Sequence, residues 1–218
     1  MSERAETADR DTAQAQPTES EGAADEARDE LDEEIRERRE LALARVLTYG
    51  NPVLNSVASP VESFDGVLAR DAEQMISIMS DALGVGLAAT QLGVMRRLLV
   101  FQAGPDARPT AVANPDLEWV SAELAEAEEG CLSLPRIVVD VERAVYARVR
   151  GQNVRGEPLL LEASGLEARV LQHEIDHLNG VLTLDRTDRA QRRAARRALR
   201  EGESFSPQDL AEPSTTEV

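Results

Sequence analysis

The stretch QHEIDHLNG, Gln172 to Gly180, holds His173 and His177, the two histidines of the 218-residue chain, with Glu174 directly after the first. On a helix, positions i and i+4 share one face with their Cβ atoms about 5–6 Å apart, near enough for two imidazole nitrogens to converge on one metal ion. The HExxH spacing also sets a carboxylate beside those ligands, in the position of a base for an activated water. The competing reading is a pair of hydrogen-bonded core histidines, which suits a single histidine better than two at ligand spacing.

That chemistry requires a helix. Ser164 and Glu167 in SGLE have the pattern of a capping box, and Gly180 just past Asn179 suits a left-handed C-terminal cap, so the sequence predicts a helix over about 165–178. Leu166 and Val170 run down the face of His173 and His177, while Leu171, Ile175 and Leu178 occupy another. A helix apolar on several sides is a buried one.

A hydrolytic metal site takes about three protein ligands and leaves one position to water. With both imidazoles already used, the third ligand is Cys131 or a carboxylate. Asp185 and Asp188 follow the helix, but DRTDRAQRRAARRALR reads as the start of a solvated helix. Cys131, in EEGCLSLP, is the stronger candidate, although a lone cysteine is by default a small buried apolar residue. A thiolate with two imidazoles suits zinc or ferrous iron. The residues that follow, IVVDVERAVYARVRG, read as two strands with Glu142 and Arg143 near the turn.

Upstream, GVGLAATQLGV (Gly84–Val94) lies between an amphipathic helix, DAEQMISIMSDAL, and a strand, RRLLVFQA. A dinucleotide fingerprint needs strand, glycines and helix in the opposite order, so a nucleotide loop is rejected. Gly84 and Gly86 would instead admit a substrate backbone at close range, and Gln91 offers a neutral amide donor.

The elements that must position these residues fit one domain at this length. The net charge of −17 argues against general nucleic-acid binding, and residues 1–40 carry much of it, with 15 Asp and Glu against 6 Arg. Residues 1 to about 27 lack bulky apolar side chains and should be disordered. From Asp29 to Val46 helix propensity rises, and Leu31, Ile35, Ala42 and Val46 share a side. No apolar run approaches the roughly 18 residues of a membrane span, and the acidic N-terminus has no signal segment, which predicts a cytoplasmic protein without a membrane partner. The single cysteine fits a reducing compartment. Near the end, Arg189, Arg193, Arg196 and Arg200 recur at helical spacing as one basic stripe, read either as a solvated face or as a surface for ribosomal RNA.

Three stretches, GVGLAATQ (Gly84–Gln91), EGCLS (Glu129–Ser133) and QHEIDH (Gln172–His177), occur in the order found in the peptide deformylases and closely resemble that family's motifs; with the YGNPVL entry, the likeness runs from about Val46 to Arg186. The resemblance implies Cys131, His173 and His177 as metal ligands, Glu174 as general base and acid, and Gln91 with the backbone N–H of Leu132 as the oxyanion site. It further implies a substrate pocket walled by Val85, Gly86, Gly130, Leu166 and Val170, shaped for an unbranched methionine side chain. One divalent metal ion is expected, ferrous iron first, with zinc, nickel or cobalt able to replace it. The implied activity is bacterial and cytoplasmic: removal of the formyl group from the N-terminal formylmethionine of nascent peptides, releasing formate. An HExxH zinc endopeptidase is the alternative, sharing the helix but having no need of Cys131.

The implied fold is α+β, with short, mainly antiparallel sheets around a buried HExxH helix and a C-terminal helix after it. The domain reading is an acidic, largely disordered extension over 1–45 with a helix from about 29, a catalytic domain over 46–203 and a disordered tail over 204–218. A monomer is expected, with the Arg-rich helix free to meet the ribosome. Two residues depart from the commoner pattern: Thr90 stands where many members have Pro, and Arg136 where Gly is common.

Overall fold

The computed structural model describes residues 32–211. Helix α1 covers 32–43, and the division between a small N-terminal unit, Met1–Glu37, and the main unit, Arg38–Val218, falls within it. The main unit continues with α2 (Gly66–Asp81), β1 (Gly86–Ala88), β2 (Leu98–Phe101), β3 (Thr110–Val120), β4 (Leu124–Cys131), β5 (Leu134–Ala144), β6 (Tyr146–Gln152), β7 (Pro158–Ser164), α3 (Gly165–Leu178), α4 (Thr183–Arg186), α5 (Arg189–Glu201) and α6 (Gln208–Ala211). Five strands form one antiparallel sheet in the order β1-β2-β3-β6-β7, and β4 pairs with β5 in a separate antiparallel ribbon. The architecture is the expected α+β, with the C-terminal helix present.

Strand β2 shows why two helices are needed. Its four residues, LLVF, are buried on both faces. Because successive side chains alternate, Leu98 and Val100 join the cluster under α2, with Leu68, Met75 and Met79, whereas Leu99 and Phe101 join the cluster under α3, with Leu171, Ile175 and Leu178. Each of the fully buried leucines contributes on the order of 1.5–3 kcal/mol by leaving water. A third cluster joins Leu134, Ile137, Val139 and Val141 of the ribbon to Ala195 and Ala198 of α5.

Local signals account for most boundaries. Helix α2 begins five residues before the amphipathic run at Asp71, because the Asp65 carboxylate accepts from the N–H groups of Val67 and Leu68 at 2.9 and 3.2 Å. Helix α3 has the expected span, yet Ser164 makes no side-chain cap. Instead Gly165, at φ +54°, turns the chain out of β7 and donates to the Val145 carbonyl at 2.9 Å, so the strand junction replaces the predicted capping box. At the other end Gly180 has φ +73°, and a Cβ there would meet the Asn55 carbonyl carbon at 2.7 Å.

The two strands expected from IVVDVERAVYARVRG are β5 and β6, with Glu142 and Arg143 just before the turn at Val145, as expected. Two sequence readings are corrected. The tail expected to be unstructured from residue 204 is ordered as far as 211: Phe205 is buried and α6 follows. The core starts before residue 46, since Ala42 is buried with Val46 against the α2 cluster. The disorder expected over 1–27, and residues 212–218 of the expected tail, lie outside the described residues. No helix among the described residues is long and apolar enough to cross a membrane.

Gly180→Ala should lower the unfolding free energy by about 2 kcal/mol or more, since it combines left-handed strain with a backbone clash. A urea unfolding midpoint equal to that of the parent chain would contradict this account of the α3 terminus.

Candidate active site

Cys131 ends β4, while His173 and His177 lie one helical turn apart on α3. Their ligand atoms all fall within 4.8 Å of one another. The Cys131 sulfur is 3.2 Å from His177 Nε2, and the two imidazole rings stand 4.9 Å apart at 65°. A thiolate and two imidazoles meeting at a half-buried point form a donor set suited to a divalent metal with one position left open.

The protonation chemistry agrees. Burial pushes the Cys131 thiol up, but the His177 charge and hydrogen bonds from both imidazoles outweigh it and hold the thiol well below its ordinary value. Burial likewise pulls His173 down, yet hydrogen bonds to Cys131 and Glu129 leave it well above the usual imidazole range. A cation bound at the cluster would take the place of the imidazole proton opposite the thiolate.

His173 is oriented by a carboxylate behind it, whereas His177 Nδ1 is buried with no hydrogen-bond partner among the described residues. The Glu129 carboxylate can only accept, so His173 Nδ1, 2.9 Å away, donates to it and Nε2 is left facing the cluster. Glu129 in turn takes a fork of two hydrogen bonds from Arg143, at 2.6 and 3.0 Å, and one from Arg169 at 2.7 Å. The third nitrogen of Arg143 donates to Asp176 at 2.9 Å, and Arg186 closes the other side of Asp176. Glu129, Arg143 and Asp176 are all buried. Burial pushes Glu129 up, but hydrogen bonds from His173 and Arg143 bring it down to about 2.

Glu174 and Gln91 face the same space. Burial pushes the Glu174 carboxyl up, and Oε2 makes no hydrogen bond among the described residues. Gly86 presses against this carboxylate: a Cβ there would lie 2.3 Å from Oε1. Gly86 therefore clears room for Glu174 itself, a nearer neighbour than the substrate backbone expected from sequence. The Gln91 side-chain carbonyl accepts from the Ala88 N–H at 2.8 Å, which turns its NH2 toward Cys131 (3.7 Å) and Ser133 (3.2 Å). Thr90 donates its hydroxyl to the His177 carbonyl at 3.2 Å, a tie between this loop and α3 that proline could not make.

A cleft of about 410 Å³ opens over the cluster. It is lined by Cys131, His173, Glu174, Gln91 and Leu132 and by the expected walls Val85, Gly86, Gly130, Leu166 and Val170. His177 lies behind them, 1 % exposed. Sequence reading missed Glu129, Arg143, Asp176 and Ser133. For Arg143 a signal was available: Ile137, Val139, Val141 and Arg143 alternate along one buried face of β5. The positive φ of Arg136, +62°, supplies the physical reason a glycine suits that position.

Fold and site together define a metal-assisted hydrolase with a Cys/His/His cluster beside the HExxH glutamate. The polypeptide deformylase family model matches residues 43–193, and the chain belongs to that family. It is 49 % identical to the peptide deformylase of Thermotoga neapolitana over 155 residues, 71 % of this chain and 93 % of that protein. To the peptide deformylase of a Parafrankia strain it is 46 % identical over 75 % of this chain and 88 % of the relative. Among solved structures, the enzyme of Synechococcus elongatus in complex with actinonin matches with a TM-score of 0.68 at 37 % identity, covering 75 % of this chain and 89 % of that one. These likenesses do not favour the zinc endopeptidase alternative.

Removing Arg143 would take a shared cation from two buried carboxylates. Arg143→Met should cost roughly 3–5 kcal/mol in chemical denaturation, while Arg148→Met, whose Glu162 partner is exposed, should stay within about 1 kcal/mol. Equal losses for the two would show that the buried chain is not a structural hub.

Proposed function

We propose that this deformylase hydrolyses the formyl amide of N-formylmethionyl nascent peptides with Cys131, His173 and His177 holding one divalent metal, ferrous iron first and zinc, nickel or cobalt as substitutes. The observation that carries this assignment is the convergence of one sulfur and two imidazoles within 4.8 Å, directly beside the buried Glu174. When bound, the cation supplies Lewis acidity that brings the pKa of a water near neutrality.

Glu174 takes the proton of the attacking water and later delivers one to the leaving amine; a carboxyl pushed up by burial sits closer to the pH at which both transfers occur. The Gln91 NH2, fixed by its bond from Ala88, and the Leu132 N–H act where negative charge develops on the formyl oxygen. Val85, Gly86, Gly130, Leu166 and Val170 receive the methionine side chain, and the exposed Leu166 and Val85 leave the outer cleft permissive. We place the protein in the cytoplasm as a monomer, where its substrate emerges.

The chain, prepared anaerobically and loaded with iron, nickel or cobalt, should release formate from formyl-Met-Ala-Ser. Glu174→Gln should keep its metal and lose turnover by about two to four orders of magnitude, whereas Cys131→Ala should lose the metal itself. A metal-free Glu174→Gln together with a loaded, active Cys131→Ala would reverse the assignment.

We also propose that α5 docks on ribosomal RNA. Arg189, Arg193 and Arg200 are exposed along one stripe, with Arg196 half-buried beside Asp185 at 3.8 Å. Phosphate contacts make such binding fall steeply with salt, with a slope approaching the number of arginines engaged. Co-sedimentation with ribosomes should therefore weaken as salt rises and be lost when Arg193, Arg196 and Arg200 are all replaced by Glu. Equal binding of the two proteins, or none by either at low salt, removes the docking reading.

A further inference from the structure

Residues 202–208 lie beyond the stretch shared with the family, 43–193, and they return to the β4–β5 ribbon beside the cleft. The Phe205 N–H donates to the Arg136 carbonyl at 3.0 Å, and the Val138 N–H donates to the Phe205 carbonyl at 2.9 Å, so that Phe205 forms a parallel bridge with Ile137. The Phe205 ring is 5 % exposed and packs in the cluster of Leu134, Ile137 and Val139. The Arg136 guanidinium donates to the Gly202 carbonyl, and the Gln208 amide donates to the Glu128 carboxylate. Glu128, Leu134, Arg136, Ile137 and Val138 all line the cleft.

The segment is thus tied to both strands of the β4–β5 ribbon, which makes one wall of that cleft. A two-stranded ribbon is marginal by itself, and β4 buries little apart from Glu129. An extended peptide bound against a yielding wall would have to order the wall as well as itself, and that cost appears as weaker binding.

We propose that residues 202–208 form a strap, with Phe205 a positioning residue that holds the β4–β5 wall of the cleft and so sets affinity for the peptide substrate. The proposal rests on the deformylase function of the cleft and concerns residues the chemistry does not touch. Arg136 serves the strap from the cleft side, since its left-handed backbone aims its carbonyl at Phe205 while its side chain reaches Gly202.

The test is steady-state deformylation of formyl-Met-Ala-Ser by the full, metal-loaded chain, with metal content and thermal unfolding measured alongside. Phe205→Ala should raise KM about tenfold with kcat within about twofold and metal content unchanged, and Phe205→Leu should restore most of the affinity. A folded Phe205→Ala with parent KM, or a loss confined to kcat or to bound metal, overturns the strap. Should Phe205→Ala fail to fold, Gln208→Ala carries the test: a KM raised about twofold supports the strap, and an unchanged KM overturns it. Formate release by the parent chain is read first, so failure of the deformylase reading is distinct from failure of the strap.

Discussion

An arginine sealed inside a protein must find carboxylates at hydrogen-bond distance, because an unpaired buried charge costs several kcal/mol. Arg143 meets that demand with two of them, from different elements: Glu129 on β4 and Asp176 on α3. The consequence reaches beyond charge balance. Glu129 stands two residues before Cys131, and Asp176 lies between His173 and His177, so the arginine that bridges both ties the strand bearing the sulfur to the helix bearing the imidazoles. Glu129 then uses its remaining capacity to orient His173. The Cys131, His173 and His177 cluster is thus linked to an ion network whose central arginine does not touch it directly.

The same economy governs the polar groups facing the cleft. Gln91 has its carbonyl end occupied by Ala88, which leaves its donor end facing Cys131 and Ser133. Glu174 is kept in surroundings that disfavour its charge, and Gly86 clears the space it needs. Thr90 binds the Gln91 loop to the end of α3, so the loop and the ligand helix are held together at the backbone of His177.

Outside the shared catalytic stretch the chain carries additions of different character. The N-terminal residues are strongly acidic, and the core recruits Ala42 just before the family match begins. At the C-terminus α5 ends at the left-handed Gly202, and the chain doubles back onto β5 through Phe205. The serine, proline and glutamate around that phenylalanine read as a solvated tail by composition. Phe205, paired to the edge of β5, and the bonds from Arg136 to Gly202 and from Gln208 to Glu128 hold them in place.

Much of the site was legible in the linear sequence. Two histidines at helical spacing, a lone cysteine and a glycine–glutamine loop name the cluster residues because ligand chemistry restricts residue type, and a helix converts spacing into direction by local rules alone. The span of α3 followed from the same rules, although its start is held by Gly165 and Val145 where a capping box was expected. Tertiary structure decided what depends on partners distant in sequence. Arg143 lies near a turn, as its sequence context suggests, but only the packed structure shows its side chain sealed between Glu129 and Asp176, and Glu129 resembles a surface acid until Arg143, Arg169 and His173 surround it. Phe205 gains its place from β5, where its bridge partner Ile137 lies 68 positions earlier. Local sequence encodes backbone preference and ligand type; the burial that makes an ion pair obligatory, or an aromatic worth ordering a tail, arises only when separate elements exclude water together.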